Sequence, residues 1–486
     1  MIKDANMLRK LGIPLLIISL FFTSCQEDLD DVIRPSGTIE INDFVWKALS
    51  VTYFFLSDSP DLGFERFGLP EERYASNPDY LDYLSSFQTP EILFESLKVS
   101  EDRFSIIVSD YRVLENSSQG VSLQNGMRFG LVRIGESNQI FGYVRYVVPN
   151  SPADVAGVER GMIFRQVDGV DLTDSNFGEL LFERDEYFIG LAELVDNQLI
   201  TTGQIFSLTK VELTENPIHI AKTLDVNGQK VGYLMYNAFR SNFESQLNQA
   251  FGDFLAEGAT DLVIDLRYNG GGSVETAKDL SSMVTGQFNG DLFAKLTYNE
   301  NFEDIISNFD NTTADGESIN SLNLSKVYIL TSGSSASASE LVINALSPYI
   351  DVVQIGTNTV GKFQGSQLLY DSPNFNRQDV NTGHFYALQP LIFEIENAEG
   401  FTGFEDGLEP DISQAEDFFN LGILGEPTEP LLSLALQDIG SGIQGDSENE
   451  TLKRTTVDDF KLIGESGSEL PDFQRMYIDR NMLDSE

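Results

Sequence analysis

The chain has 486 residues, 41% of them hydrophobic, and sets 76 Asp and Glu against 31 Lys and Arg for a formal charge of -45 at pH 7. That length and apolar content suffice for two or three packed domains and exclude a wholly disordered chain. The charge repels phosphate backbones and anionic membrane surfaces, which excludes nucleic acid as a partner class; the acidity reads as a solvated surface.

In chain order, residues 1–24 read as a secretory leader. Lys3, Arg9 and Lys10 form a basic start, residues 11–22 an apolar run too short to span a bilayer, and Thr23-Ser24 a pair of small residues. Cys25 follows as the only cysteine, so neither a disulfide nor a cysteine-based metal site can form within one chain. Its position resembles the lipobox of bacterial lipoproteins, in which the cysteine is acylated and becomes the mature N-terminus. The run Gln26-Glu27-Asp28-Leu29-Asp30-Asp31 resembles the acidic stretch of surface-exported lipoproteins in Bacteroidetes-type bacteria. These resemblances imply a protein lipid-anchored in the cell envelope, periplasmic or exposed on the outer membrane, with residues 25–40 as an acidic tether. Several acyl chains anchor stably because each buried methylene contributes about 0.8 kcal/mol.

Residues 41–120 are predicted to form a small helical domain. Phe44, Val45, Ala48, Leu49 and Phe55 recur at helical spacing over residues 43–56, and a second helix starts at Thr89-Pro90, a cap followed by proline at the first helical position. Residues 121–213 change texture to short β-rich runs, such as 141–148, punctuated by turns. Residues 214–436 read as α/β. Strand-like runs at 231–235, 261–266, 326–330 and 352–355 alternate with helical periods at 243–256 and 338–346. Beyond Gln437 the polar, acidic, Gly/Ser-containing composition predicts a loosely ordered tail over 437–486.

The catalytic options are narrow because the chain has two histidines, His219 and His384. A Ser-His-Asp hydrolase needs one of them, a zinc site draws at most two imidazoles, and neither residue carries a triad or metal signature. Both read as structural. The run Thr331-Ser332-Gly333-Ser334-Ser335-Ala336-Ser337-Ala338-Ser339-Glu340 lies between a buried strand and an apolar helix. There the first helical N–H groups point at an anion, which suits a serine nucleophile whose oxyanion gains about 2.7 to 4 kcal/mol per fixed donor. A Ser/Ala-rich turn alone is usually a turn. Two further segments bear on it: Asp265-Leu266-Arg267-Tyr268-Asn269-Gly270-Gly271-Gly272, where glycines let backbone approach a ligand, and Val360-Gly361-Lys362.

Together these segments resemble the C-terminal processing peptidases, or tail-specific proteases, in which Asp-Leu-Arg…Gly-Gly precedes Ser-Ala-Ser-Glu and a Gly-Lys follows at a fixed interval. Lys362 follows Ser337 by 25 positions, and Gly407-Leu408-Glu409-Pro410-Asp411 is similar to the family's Gly-x-x-Pro-Asp. Within the resemblance, which covers most of the chain after Asp102, residues 149–158, 161–164 and 167–170 resemble a PDZ domain. The fold implied is an α/β, crotonase-like catalytic core with an inserted β-rich PDZ-like domain and a small N-terminal helical domain.

The activity implied is that of a serine endopeptidase cleaving proteins near free C-termini through an acyl-enzyme, without metal or cofactor. Carried over, Ser337 is the nucleophile, Lys362 its base, and Ala338 with Gly271 or Gly272 the oxyanion hole. Arg128 and Phe129, Gly130, Leu131 and Val132 form the loop that holds a peptide carboxylate. A lysine serves as base only when burial draws its pKa down. One position departs from the pattern: where the family commonly has Gln four residues after the lysine stands Ser366, with Gln364 and Gln367 nearby. The third catalytic member is therefore open between Gln367, Ser366 and none. The departure keeps a second reading in play, a catalytically weak or inactive surface lipoprotein that binds peptide C-termini or partner proteins.

The mature protein is expected to begin at lipidated Cys25. Mass spectrometry of its N-terminus and globomycin-sensitive processing check this, and an unmodified Cys25 removes the anchor.

Overall fold

Apolar residues alternating with period two fix the centre of the molecule. Strand Gln229–Tyr236 sends Leu234 and Tyr236 to one face and Val231, Tyr233 and Met235 to the other. Strands Asp261–Asp265 and Lys326–Thr331 repeat the pattern, with Leu262, Ile264, Val327 and Ile329 against Val263, Tyr328 and Leu330. A sheet apolar on both faces must be covered on both, the usual condition of parallel strands. Helices Glu244–Glu257, Val274–Thr285 and Ala338–Leu346 cover one face, and Pro430–Ser441 covers the other through Leu431, Leu432, Ala435 and Leu436.

The computed structural model describes residues 36–68, 76–196, 198–441 and 460–479. The leader, Cys25 and most of the expected tether lie outside the described residues. The central sheet has six strands in the order Ile218–Val226, Gln229–Tyr236, Asp261–Asp265, Lys326–Thr331, Asp351–Gly356, Ile412–Ser413; the first pair is antiparallel and the rest parallel. A second sheet runs Gly272–Ser273, Met476–Tyr477, Gln364–Ser366, Leu391–Glu396, Leu292–Tyr298, Ile305–Asn308.

Helices Thr38–Thr52, Pro78–Ser85 and Pro90–Leu97 gather around Trp46, Leu93 and Phe94, and Leu369 and Leu388 join their cluster. Thr89 caps the last of these helices by accepting from the Ile92 N–H at 3.3 Å, with Pro90 in its first turn. The first helix starts earlier than the apolar spacing predicts, because Glu40 accepts from the Gly37 N–H at 3.1 Å. It ends earlier because the Phe54 N–H leaves to bond the Leu391 carbonyl at 2.9 Å.

The β-rich unit is a sheet in the order Phe460–Glu465, Met127–Ile134, Ile140–Val147, Ile163–Val167, Glu186–Val195, Gln198–Thr209. Ser151 caps the short helix Pro152–Ala156 and Gly157 ends it at φ 85°. Asp168 and Gly169, at φ 50° and 77°, turn Ile163–Val167 into Val170–Asp171. The whole is a mixed α/β fold.

The C-terminal expectation requires correction. Helix Pro430–Ser441 crosses the boundary set at 436, with Ile439 buried on the sheet, and residues 460–479 are not a loose tail but form strands Phe460–Glu465 and Met476–Tyr477. Both strands pair with distant edges, so the average composition of the last fifty residues says nothing of them.

One buried ionic network ties these layers together. The fully buried Arg267 guanidinium donates to Asp265 at 2.9 Å, to Glu416 at 3.1 Å and to Glu429 at 2.6 Å. Burial alone would raise Glu416; the adjacent Arg160 and Arg267 more than reverse this and hold its carboxyl down at about 2. Arg267→Ala leaves three carboxylates without their shared cation and is expected to cost about 3–5 kcal/mol in chemical denaturation. Because Glu416 is depressed in the folded state, its contribution is present above its unfolded value near 4.5 and is lost as pH falls towards 2. Thermal midpoints measured across that window are expected to fall more steeply in the wild type than in Glu416→Gln.

Candidate active site

The serine-rich turn is stitched to the glycine-rich segment by its own hydroxyls. Ser335 donates to the Leu266 carbonyl at 2.8 Å, Ser339 to the Asn269 carbonyl at 3.0 Å, Ser332 to the Arg267 carbonyl, and the Ala336 N–H to Asn269 at 3.1 Å. So bound, Ser337 sits at the head of helix Ala338–Leu346 with φ 61° and ψ -115°. That backbone is costly for a residue with a Cβ and persists only where its surroundings enforce it. The enforcement comes from Glu340, whose carboxylate accepts the Ser337 N–H at 2.6 Å, and from the Leu341 N–H, which reaches the Ser337 carbonyl at 2.8 Å.

The same carboxylate holds the lysine. Glu340 also accepts from the Lys362 N–H at 2.9 Å, the Gly361 N–H at 2.6 Å and the Thr359 hydroxyl at 2.5 Å. Gly361 is glycine of necessity: its φ is 85° and a Cβ would lie 2.2 Å from the Glu405 carbonyl oxygen. Burial pushes the Glu340 carboxyl above its ordinary value against these four donors.

Lys362 is fully buried, its Nζ 4.8 Å from the Phe104 ring centroid. Burial first, and the nearby Arg475 second, hold its pKa well below the ordinary lysine range, overriding the opposite pull of Asp102 and Glu340. Lys362 Nζ donates to the Gln474 carbonyl at 2.9 Å and Ser337 Oγ donates to that same oxygen at 3.2 Å. The two predicted residues, on different elements, therefore meet at one peptide carbonyl.

Ala338 opens the helix beside Ser337. Gly271, at φ 110°, has no room for a side chain: a Cβ would lie 2.5 Å from that of Ser337 and 2.8 Å from the Arg475 carbonyl oxygen. Its N–H is already spent on Asn269 Oδ1 at 2.8 Å, whereas Gly272 lies in register with Met476. A cavity of about 110 Å³ adjoins the segment, lined by Arg128, Arg145, Tyr268, Gly271, Ser334 and Gln474 among others.

Two expectations come out differently. Phe129, Gly130, Leu131 and Val132 are not a carboxylate-binding loop; they lie inside strand Met127–Ile134, paired with Ile140–Val147 on one side and Phe460–Glu465 on the other. Phe129 and Leu131 face the unit's core, and Arg128 is engaged by the buried Glu215. Ser366 does not reach the lysine with its hydroxyl, which donates to the Met476 carbonyl at 2.8 Å. Gln367 lines a neighbouring cavity of about 300 Å³ with Tyr370, Arg377 and Tyr477.

His219 packs against the Tyr146 ring at 4.8 Å, with its pKa lowered by burial. His384 pairs with Asp371 at 2.9 Å and accepts the Tyr386 N–H at 3.0 Å. Both are structural contacts. Sequence reasoning missed Glu340, Phe104 and Gln474. Only Glu340 carried a signal, as the last residue of its motif.

Glu340→Gln places an amide NH₂ among four donors. It is expected to lower unfolding free energy by about 1–3 kcal/mol in urea titrations, with Glu340→Asp intermediate.

Residues 230–413 match the model of peptidase family S41. The chain is 24% identical over 349 residues to the carboxyl-terminal-processing protease of Picosynechococcus sp., covering 71% of this chain and 78% of that protein. It is 28% identical over 229 residues to the chloroplastic C-terminal processing peptidase of Tetradesmus obliquus, covering 44% and 46% respectively. An S41 structure from Bacteroides fragilis is 26% identical, with a TM-score of 0.63 over 82% of this chain and 98% of that one. The matched segment holds both Ser337 and Lys362, and the chain thus carries a peptidase S41 domain over residues 230–413.

Proposed function

We propose that the protein is an endopeptidase of the C-terminal processing type, with Ser337 as nucleophile and Lys362 as general base. The observation that carries this reading is the convergence of Ser337 Oγ and Lys362 Nζ on one peptide carbonyl in a buried pocket. A lysine kept neutral by burial has a lone pair for the serine proton. Ser337 then attacks a carbonyl carbon, and the oxyanion is received by the Ala338 N–H and, since Gly271 is committed to Asn269, by the Gly272 N–H. The lysine returns its proton to the leaving amine, and water resolves the acyl-enzyme in a second cycle. No step calls for a metal or cofactor.

Residues 121–213 act as a PDZ-like module and residues 214–441 as a crotonase-like core. Strand order and the capped Ser151-Pro152 helix support the first assignment, and the helix-covered central sheet supports the second. A substrate enters as an added strand on the edge of Met127–Ile134 that Phe460–Glu465 occupies in the structure, bound by main-chain hydrogen bonds. The substrates are proteins or peptides with free C-termini, met in the cell envelope by an enzyme lipid-anchored through Cys25.

The test is cleavage of an unfolded protein by wild type, Ser337→Ala and Lys362→Ala. Each substitution is expected to remove activity by about a thousandfold or more, and the double variant to lose no more than either alone. Activity should rise with pH through the depressed Lys362 value and level off below the ordinary lysine range. His219→Ala and His384→Ala should keep the chemistry. Equal turnover by wild type and Ser337→Ala would move the assignment to a peptide-binding lipoprotein.

A further inference from the structure

Residues 460–479 run from the edge of the β-rich sheet past Ser337 and Lys362 into the second sheet. Phe460–Glu465 adds to the edge of Met127–Ile134, with Phe460 opposite Ile134 and Glu465 opposite Gly130. The Ser466 N–H then donates to the Phe129 carbonyl at 2.9 Å, and the Phe129 N–H to Ser466 Oγ at 2.9 Å. Farther on, Gln474 presents its carbonyl to Ser337 and Lys362. Met476–Tyr477 completes the path, lying between Gly272–Ser273 and Gln364–Ser366, parallel to both. The Ile478 N–H donates to the Ser366 carbonyl at 3.1 Å, and Asp479 accepts from Ser273 Oγ at 2.5 Å.

We propose that this segment is a tethered competitor: a strand of the protein's own chain that fills the peptide path and must be displaced before a substrate strand can enter. The proposal rests on the assignment of Ser337 and Lys362 given above. Three observations carry it. The segment makes the main-chain pairings that a bound peptide would make, on two separate sheets, and its removal would leave a bare strand edge and a strand-wide gap.

The second concerns protons. Ser337 has one hydroxyl proton, and it goes to the Gln474 oxygen instead of to Lys362, while the same oxygen takes a hydrogen from Lys362 Nζ. The carbonyl thus faces the dyad and separates its members, an arrangement of occupancy and not of attack.

The third is an anchor. Arg145 is buried and forms an ion pair with Glu465, whose carboxylate also accepts from Ser334 Oγ at 2.9 Å. An entering peptide must supply an acidic group at this position or leave a buried guanidinium without its partner. The competitor's chemistry therefore names the preferred substrates, extended peptides carrying a carboxylate opposite Arg145.

A tethered strand acts at an effective concentration in the millimolar range. If its free peptide binds with a dissociation constant of about 0.1 mM, apparent substrate affinity is reduced about tenfold. The test uses the full chain and a chain ending at residue 459, both as Ser337→Ala, and a fluorescent synthetic peptide of residues 460–479. The truncated protein is expected to bind the peptide at least about tenfold more tightly than the full chain, and Glu465→Gln in the peptide to weaken it.

Equal binding to both proteins overturns the proposal whether or not the protein is a peptidase. If truncation prevents folding, Met476→Asp in the full chain unseats the strand by placing a charge in the core, and is expected to open the site to the peptide in the same way. With Ser337 restored, truncation or Met476→Asp should raise kcat/KM about tenfold on an acidic unfolded substrate. Absence of turnover in every form defeats the peptidase assignment, and the binding ratio still decides the competitor. Loss of residues beyond 474 or 475 in the wild type but not in Ser337→Ala, seen by mass spectrometry, would make the segment a substrate and overturn the proposal.

Discussion

The buried carboxylate of Glu340 is the interaction on which the site depends. One oxygen pair collects the Ser337, Gly361 and Lys362 N–H groups and the Thr359 hydroxyl. These donors belong to two loops that leave neighbouring parallel strands, Lys326–Thr331 and Asp351–Gly356. Nothing in strand pairing fixes the relative height of such loops. A charged acceptor between them does, because each donor that drifts away leaves a desolvated anion less well compensated. The left-handed backbone of Ser337 is paid for there.

Electrostatics around the lysine follow from the same enclosure. Lys362 has the Phe104 ring on one side and no carboxylate within ion-pair distance among its described partners. Asp102 and Glu340 favour the ammonium, but Glu340 directs its oxygens at main-chain donors, and desolvation prevails. Without the clamp the loop would be free to bring Lys362 to solvent, where a lysine keeps its proton at neutral pH.

Much of this was legible from residues that report on themselves. The central strands, helix Ala338–Leu346 and the Thr89 cap each follow from local pattern, and the Asp168-Gly169 turn and the pairing of Ser337 with Lys362 from resemblance to known families. What stayed hidden depends on pairing across long separations. Arg128 to Val132 read as a loop only through the PDZ resemblance, and their local pattern does not declare which edges the strand there will meet. Phe104 touches Lys362 from a part of the chain more than two hundred residues away. Strands Phe460–Glu465 and Met476–Tyr477 are too short to stand out from an acidic background, and their stability comes from the edges that receive them.

The position of Met476–Tyr477 inside the second sheet has a consequence for assembly. Ser117 meets Asp472 across 355 positions of sequence, and Ser273 meets Asp479 across 206. Contacts so distant in sequence form late, because a long loop must close before any of them contributes. During synthesis the sheet stays divided, with Gly272–Ser273 and Gln364–Ser366 unjoined, until Met476–Tyr477 has emerged. The order of translation thus leaves strand Met476–Tyr477 to join two segments made long before it.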